Sequence, residues 1–345
     1  MRATALILIV IVVLTAAGAA LMTVVIRAGV TRIPDGRPAA LVRFEVSPGE
    51  PFVSVVDRLA RERVVGSPWA LRVYASLKKY DRRIQWGTYE FSPEERPIDV
   101  LGKLVRGDVF VAVVAVPEGF TIWDIAGAFR AAAVDSVEMV AAAQDRSIRG
   151  RRRIPAPSLE GYLFPDTYRV PWGASPSRVV DMMLARMDEV FDRALLKRAA
   201  DIDLTPHQVL TLASIIEAET RVPEERPLVS AVYHNRLKRG MRLEADPTVA
   251  YAMGGYHGRL MYADLNVDSP YNTYRHGGLP LGPICSPGEA SIRAALYPDT
   301  VSQALYFVAR GDGSHIFSQT LREHSAAAAN LRRSRRSQGS DTVNK

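Results

Sequence analysis

The spacing of apolar and polar positions changes character several times along the chain. Ala3 to Ile26 is an uncharged run of 24 residues in which Thr4, Thr15 and Thr23 are the polar side chains. About 20 apolar residues span a bilayer core, so the run predicts a transmembrane anchor over residues 1–27. A cleaved leader is the alternative, because Ala17-Gly18-Ala19 follows an apolar stretch from Ala5 to Leu14. The apolar run continues past that point through Leu21, Met22, Val24, Val25 and Ile26, which favours a retained anchor. Arg2 on one side and Arg27 and Arg32 on the other nearly balance. A single N-terminal anchor ahead of a large body usually exports that body, so the expectation is an extracytoplasmic one.

Residues 28–40 contain Gly29, Pro34, Gly36 and Pro38 and read as a linker. Leu41 to Val46 then alternates like a strand. Ser47-Pro48-Gly49-Glu50 marks a turn, and Val53, Val56, Leu59 and Ala60 follow at helical spacing. This pattern recurs 70 residues later. Val46-Ser-Pro-Gly49 is echoed by Val116-Pro-Glu-Gly119, and Phe52, Val55 and Leu59 by Ile122, Ile125 and Phe129. Strand, glycine turn and helix in that order resemble the LysM module, a small glycan-binding unit, which gives a LysM-like segment over 41–115. Between the copies, Gln85 to Phe91 alternates as a further strand, and Val100, Leu101, Leu104 and Val105 sit at helical spacing. Arg146, Arg149, Arg151, Arg152 and Arg153 read as a solvated loop. From Ile154 onward helices and turns dominate, with little strand signal before 304–310. The tail 332–345 is polar and basic and is expected to be disordered.

Composition narrows the field. Of 345 residues, 48% are hydrophobic and 23% charged, which excludes disorder of the whole chain. The net charge is +7, and the last fourteen residues carry +4 of it. The remainder is too small to argue for a nucleic-acid surface. One cysteine, Cys285, excludes an intrachain disulfide and a cysteine-rich zinc site. There is no phosphate-binding G-x-x-x-x-G-K-[ST] loop, no H-E-x-x-H pair and no G-x-S-x-G elbow. No metal and no cofactor is expected.

Candidate chemistry falls at the end of one helix. Thr205 can cap it, Pro206 suits its first position, and Gln208 completes a capping box. The helix runs through Val209, Leu212, Ala213 and Ile216 to Glu217-Ala218-Glu219-Thr220, and is expected to stop before Pro223. Glu217 and Glu219 point about 200° apart around such a helix, so they cannot share a site as a pair. Glu219 lies over Leu212, Ile215 and Ile216, whereas Glu217 lies over Leu210, Ala213 and Ser214. Apolar surroundings raise a carboxyl pKa and let it hold a proton near neutrality. Glu219 is therefore the candidate general acid, with Glu217 the runner-up. Downstream, Asp246-Pro247-Thr248 and Tyr271-Asn272-Thr273-Tyr274 combine turn residues with groups that stack on sugars and bind hydroxyls. Asp246, Thr248, Tyr271, Asn272 and Tyr274 are the candidate substrate-binding residues; ordered turns covering a core are the alternative.

Several longer strings carry a resemblance: Leu159-Glu160-Gly161-Tyr162-Leu163-Phe164-Pro165-Asp166-Thr167-Tyr168, Ala213 to Thr220, Asn235-Arg236-Leu237, Ala245 to Val249, and Ser269 to Tyr274. Together they resemble the endolytic murein transglycosylase MltG (YceG-like) family over nearly all of the chain beyond the anchor. The resemblance implies an α+β protein: an N-terminal transmembrane helix, a LysM-like α/β segment, and a mainly helical lysozyme-like catalytic region over 116–331, with its core at 205–331. It implies a single-pass protein of the cytoplasmic (inner) membrane that cleaves the β-1,4 bond between N-acetylmuramic acid and N-acetylglucosamine in nascent peptidoglycan. Cell-wall synthesis machinery, penicillin-binding proteins among it, would be its partners. It also matches Glu219-Thr220 to the Glu-Ser/Thr pair at the acid of lytic enzymes. The rival expectation is a non-catalytic, membrane-anchored peptidoglycan-binding scaffold. An ordinary hydrolase leaving reducing ends is a third.

Overall fold

The computed structural model describes residues 2–341 except 256, 257 and 259. It is a mixed α+β protein that divides into two compact units, Met1–Ala112 with Arg169–Gly173, and Val113–Tyr168 with Ala174–Lys345.

The first unit contains helix α1 (Arg2–Thr31), strand β1 (Val42–Val46), helices α2 (Phe52–Arg61) and α3 (Pro68–Leu77), strand β2 (Gly87–Phe91) and helix α4 (Pro97–Arg106). The strands pair antiparallel, Val42 opposite Phe91 and Val46 opposite Gly87. Alternation puts Phe44, Val46, Tyr89 and Phe91 on one face of the ribbon. Against them pack Phe52, Val55, Val56 and Leu59, at i, i+3, i+4 and i+7 of α2, with Leu71 of α3 and Val100, Leu101 and Leu104 of α4. Both copies of the 70-residue echo have the same local form. Gly49 and Gly119 turn at φ +74° and +80°, and the matched helix positions Phe52, Val55, Leu59, Ile122, Ile125 and Phe129 are all buried.

Helix α1 is long and apolar enough to cross a membrane from Leu6 to Thr31. It extends four residues beyond the anchor expected at 1–27, so the start of the expected linker is helical. The reason is packing. Ile26 and Val30 are buried where α1 meets α3, and a Cβ on Gly29 would lie 2.5 Å from that of Ala70. The glycine that reads as a linker residue is the one that lets two helices touch.

Strands β3 (Val111–Ala115) and β4 (Thr167–Pro171) carry the chain across the division. The second unit contains α5 (Ile122–Phe129), α6 (Ser136–Ala143), α7 (Arg146–Arg152), α8 (Pro176–Val190), α9 (Arg193–Asp201), α10 (Pro206–Glu219), α11 (Arg226–Lys238), α12 (Asp246–Ala252), α13 (Glu289–Leu296), the antiparallel strands β5 (Tyr306–Ala309) and β6 (His315–Ser318), and α14 (Leu321–Asp341). Helix α10 is central. Every residue from Val209 to Ile216 is buried, packed by α13, α11, α9 and α12. Its capping box forms as the sequence predicts, Thr205 accepting from Gln208 N and Gln208 reaching back to Thr205 N. Cys285 is buried beside it, its thiol donating to Ser214 O.

Two stretches differ from expectation. The arginine-rich 146–153 segment is not a loop but α7, because Asp145 caps it, accepting from Ser147 N and Ile148 N. Arg149 then donates to Ala156 O at 2.6 Å, and Arg152 pairs with Asp188. Likewise Arg332 and Arg333 lie on α14 rather than in a disordered tail. Thr320 and Glu323 form reciprocal bonds at its start, and Ala326 to Ala329 are strong helix formers. Residues 342–345 lie outside the described residues.

Leu59 is fully buried between the ribbon and α2's neighbours. Leu59→Ala is expected to destabilise the first unit by about 2–5 kcal/mol, read as a lower urea midpoint for the transition reported by Trp69 and Trp86 fluorescence.

Candidate functional site

A cleft of about 370 Å³ opens in the second unit, lined by Glu219, Asp246, Tyr274, Arg236 and Glu244, with Tyr306 and Phe307 of β5, and His315 and His324. Glu219 is the last residue of α10. The helix holds its stem against the core while its carboxyl faces the cleft, leaving it partly exposed. Tyr233, buried on α11, donates to Glu219 Oε1 at 3.4 Å. Burial drives the Glu219 pKa up to about 7; the nearby Asp246 carboxylate pushes the same way, and the Tyr233 hydrogen bond opposes them. A carboxylate at a helix C-terminus also meets the negative end of the macrodipole, which again favours the protonated form. Glu219 thus holds a proton close to neutral pH and can release and recover it.

Asp246 is at the first turn of α12, where Tyr274 donates to its Oδ1 at 2.6 Å. Burial and the bond to Asp246 hold the Tyr274 hydroxyl protonated well above its ordinary range. Arg236 lines the same cleft, yet its charge is consumed. Nε donates to Leu305 O at 2.7 Å, and Nη1 contacts Arg242 O, Leu243 O and the Glu244 carboxylate at 2.9–3.1 Å. The guanidinium ties α11 to the 242–244 turn and to Leu305, just before β5, and so fixes part of the cleft wall. His315 is held by Glu225, which accepts from its backbone N and contacts Nδ1 at 2.7 Å.

Of the predicted site residues, the structure brings Glu219, Asp246 and Tyr274 to one cleft. Glu217 lies elsewhere, as its angular separation requires. Its carboxylate accepts from Gly288 N at 3.0 Å and pairs with Arg226 at 3.4 Å, with the side chain 8% exposed. It is a brace between α10, α11 and the start of α13. Thr248 and Asn272 are inside the wall rather than on it. Thr248 is fully buried and bonds Ala245 O and Thr273. Asn272, also fully buried, donates to Leu265 O and Val267 O and accepts from Tyr274 N. The two residues shape the turns that present Asp246 and Tyr274. Tyr271 is not among the lining residues; its ring packs on Tyr251 at 4.9 Å.

The sequence gives no site role to Tyr233, Arg236, His315 or the β5 aromatics, although Asn235-Arg236-Leu237, Tyr306 to Ala309 and His315 belong to the strings of the resemblance. In the fold Arg236, Tyr306, Phe307 and His315 line the cleft and Tyr233 bonds Glu219. The sequence also gives no role to Glu160. This carboxyl is buried and pushed up to about 8 by desolvation, and it accepts from Ile122 N and Tyr251. Thr220, next to Glu219, has a buried hydroxyl without a hydrogen-bond partner among the described residues. Among the described residues no group of three or more His, Cys, Asp or Glu side chains is placed to hold a metal ion.

The raised pKa of Glu219 has a sign for stability. The folded chain holds this proton up to about pH 7, whereas an unfolded glutamate releases it near pH 4.3. The penalty for folding is therefore absent at low pH, grows between those values and is complete above the folded pKa. Glu219→Gln removes the charge, so the variant is expected to gain thermal midpoint over the parent at pH 8 and to lose that advantage at pH 4. Scanning calorimetry at the two pH values checks it.

The chain matches the YceG-like family over residues 44–330. It is 31% identical over 308 residues to the endolytic murein transglycosylase of Bacillus subtilis, covering 83% of each chain. To the endolytic murein transglycosylase of Streptococcus pneumoniae it is 28% identical, over 80% of this chain and 55% of that longer protein. The crystal structure of a yceG-like protein from Listeria monocytogenes aligns with a TM-score of 0.59 at 30% identity, covering 83% of this chain and 98% of that one. The match runs from the first strand of the first unit into the last helix of the second, and the chain belongs to the YceG-like family.

Proposed function

We propose that this chain is a membrane-anchored peptidoglycan lytic transglycosylase that cuts the β-1,4 bond between N-acetylmuramic acid and N-acetylglucosamine in nascent strands. The observation that carries this reading is one carboxyl, Glu219, enclosed at the mouth of a polar-aromatic cleft and protonatable near neutral pH. The names of the relatives point to the same chemistry. Glu219 donates its proton to the glycosidic oxygen as the C1–O bond breaks, releasing a 4-hydroxyl on the departing sugar. The resulting carboxylate takes the proton of the muramyl C6 hydroxyl, whose oxygen attacks C1. The product is a 1,6-anhydro end, Glu219 is protonated again, and no water is consumed. The nucleophile belongs to the substrate, so a second catalytic carboxylate is not needed, in contrast to paired-carboxylate hydrolysis. Asp246 has two effects here: it keeps Glu219 protonated, and its negative charge favours positive charge growing at C1.

The remaining parts suit this work. The β1–α2–α3–β2 order of the first unit supports a LysM-like glycan-binding module. Helix α1 supports a single-pass anchor in the cytoplasmic membrane, with the body on the outer side where the polymer is. Cutting nascent strands there would end their elongation and place the chain beside the synthesis machinery, penicillin-binding proteins included.

The test is digestion of purified glycan strands, read by mass spectrometry. The parent is expected to yield anhydromuramyl ends, and Glu219→Gln to lose about 10²- to 10⁴-fold in rate. Products heavier by one water would make the chain a hydrolase. Binding of strands with no soluble fragments would make it a scaffold. In the parent, kcat/KM is expected to fall tenfold per unit above about pH 7, where the acid loses its proton. Asp246→Asn removes a charge that raises the Glu219 pKa, so its alkaline limb is expected at lower pH than the parent's.

A further inference from the structure

A cavity of about 490 Å³ lies in the first unit, where α1 ends. Its walls come from Gly29 to Asp35, the segment after α2, and the start of α3; Arg32, Arg63 and Ser67 supply polar groups, and Ile33 and Val65 apolar ones. Nothing in the proposed chemistry uses it.

Its depth follows from helix geometry. Leu6 to Ile26 of α1 covers about 30 Å at 1.5 Å per residue, the thickness of the hydrocarbon layer. Residues 28–35 then fall in the next few ångströms, which is the headgroup layer. A second observation places the same face there. Trp69, on α3 next to the Ala70 that Gly29 touches, is 49% exposed. An exposed tryptophan at that level suits the membrane interface, where its ring sits among headgroups.

The charge fits an anion. Two guanidiniums line the cavity against one carboxylate, Asp35. Arg32 gives Nη2 to Asp35 at 3.0 Å, and Arg63 gives Nη1 to Gly36 O at 3.3 Å. Each bond uses one of the five N–H donors that a guanidinium carries. The N-terminal end of α3, ten residues long, opens on the same space. Pro68 there has no N–H and Ser67 caps the Ala70 N–H, so the positive end of the helix dipole adds to the arginines without a row of free amides. The C-terminal carbonyls of α1 act the other way, which is why the two arginines are required.

We propose that this cavity binds the phosphate of an anionic phospholipid headgroup, with Arg32 and Arg63 as its cationic clamp. The lipid would lock α1 to α3 and fix how the first unit stands on the bilayer. The proposal rests on reading α1 as a membrane span, which alkaline extraction of membranes tests separately.

The full chain, purified in a neutral detergent, is titrated with dihexanoyl-phosphatidylglycerol, dihexanoyl-phosphatidylcholine and inorganic phosphate. Thermal midpoint and native mass spectrometry are the readouts. Phosphatidylglycerol is expected to raise the midpoint and leave one bound lipid, and phosphatidylcholine to do neither. Arg32→Glu breaks an exposed pair with Asp35, so its midpoint without lipid is expected to fall slightly, as for the loss of a surface ion pair. Its affinity for phosphatidylglycerol is expected to be at least about tenfold weaker, and Arg63→Ala is expected to reproduce that loss. Equal response to both lipids, no response to either, or an undiminished response in Arg32→Glu overturns the proposal. An equal shift with inorganic phosphate overturns the lipid assignment and leaves a free-anion site.

Discussion

The second unit is organised around keeping a single carboxyl half out of water. Glu219 is the terminal residue of a helix whose preceding eight core positions are all buried, and the helix is anchored at its other end by a reciprocal capping box. Desolvation is the largest cause of its raised pKa, so anything that admits water beneath α10 would lower that pKa. The core of α11, α13 and α12 around α10 is therefore as much an electrostatic device as a packing one.

That device requires the cations nearby to be occupied. Arg236 lines the cleft, and a free guanidinium there would hold a carboxyl ionised. Its N–H groups instead go to three backbone carbonyls and Glu244. Arg226 is engaged in the same manner by Glu217, and it also lies 3.9 Å from Glu118. Glu217 and Glu219, two residues apart, thus do opposite things. One contacts Arg226 and accepts from Gly288 N, and so holds the helix end in place. The other has no cationic partner among the described residues, lies close to the Asp246 carboxylate, and is held toward its protonated form.

How much of this could be read from the chain depends on the range of the interactions. The start of α10, its end before Pro223, the divergence of the two glutamates and the apolar flank of Glu219 are all set within one helix, and they are legible from spacing. So is the glycine-turned strand and helix that recurs 70 residues apart. The arginine helix α7 and the start of α14 were also locally encoded, by Asp145 and by Thr320 with Glu323, but the density of charge concealed the caps. Thr248 and Asn272 show the harder limit. Composition marks them as polar turn residues, and only the folded wall decides that their hydroxyl and amide point inward, to backbone. Tyr233 bonds Glu219 from another helix, and Arg236 and the β5 aromatics join the cleft from segments far apart in sequence, so spacing within one helix does not place them there.

The same distinction explains why a glycine misleads at one place and informs at another. Gly49 and Gly119 sit at positive φ, where a side chain is strained, so they mark turns. Gly29 lies within α1, and its lack of a Cβ is used for close approach to Ala70. Its role is set by a partner nearly forty residues away. An anchor helix that continues into its first folded unit through such a contact differs in consequence from one joined by a slack linker. The end of the apolar run and the first packed residues of the unit belong to one continuous helix. On the proposed reading of α1 as a membrane anchor, its depth would set the height of the first unit's base, and the arginines at that base would meet the charge of the headgroup layer.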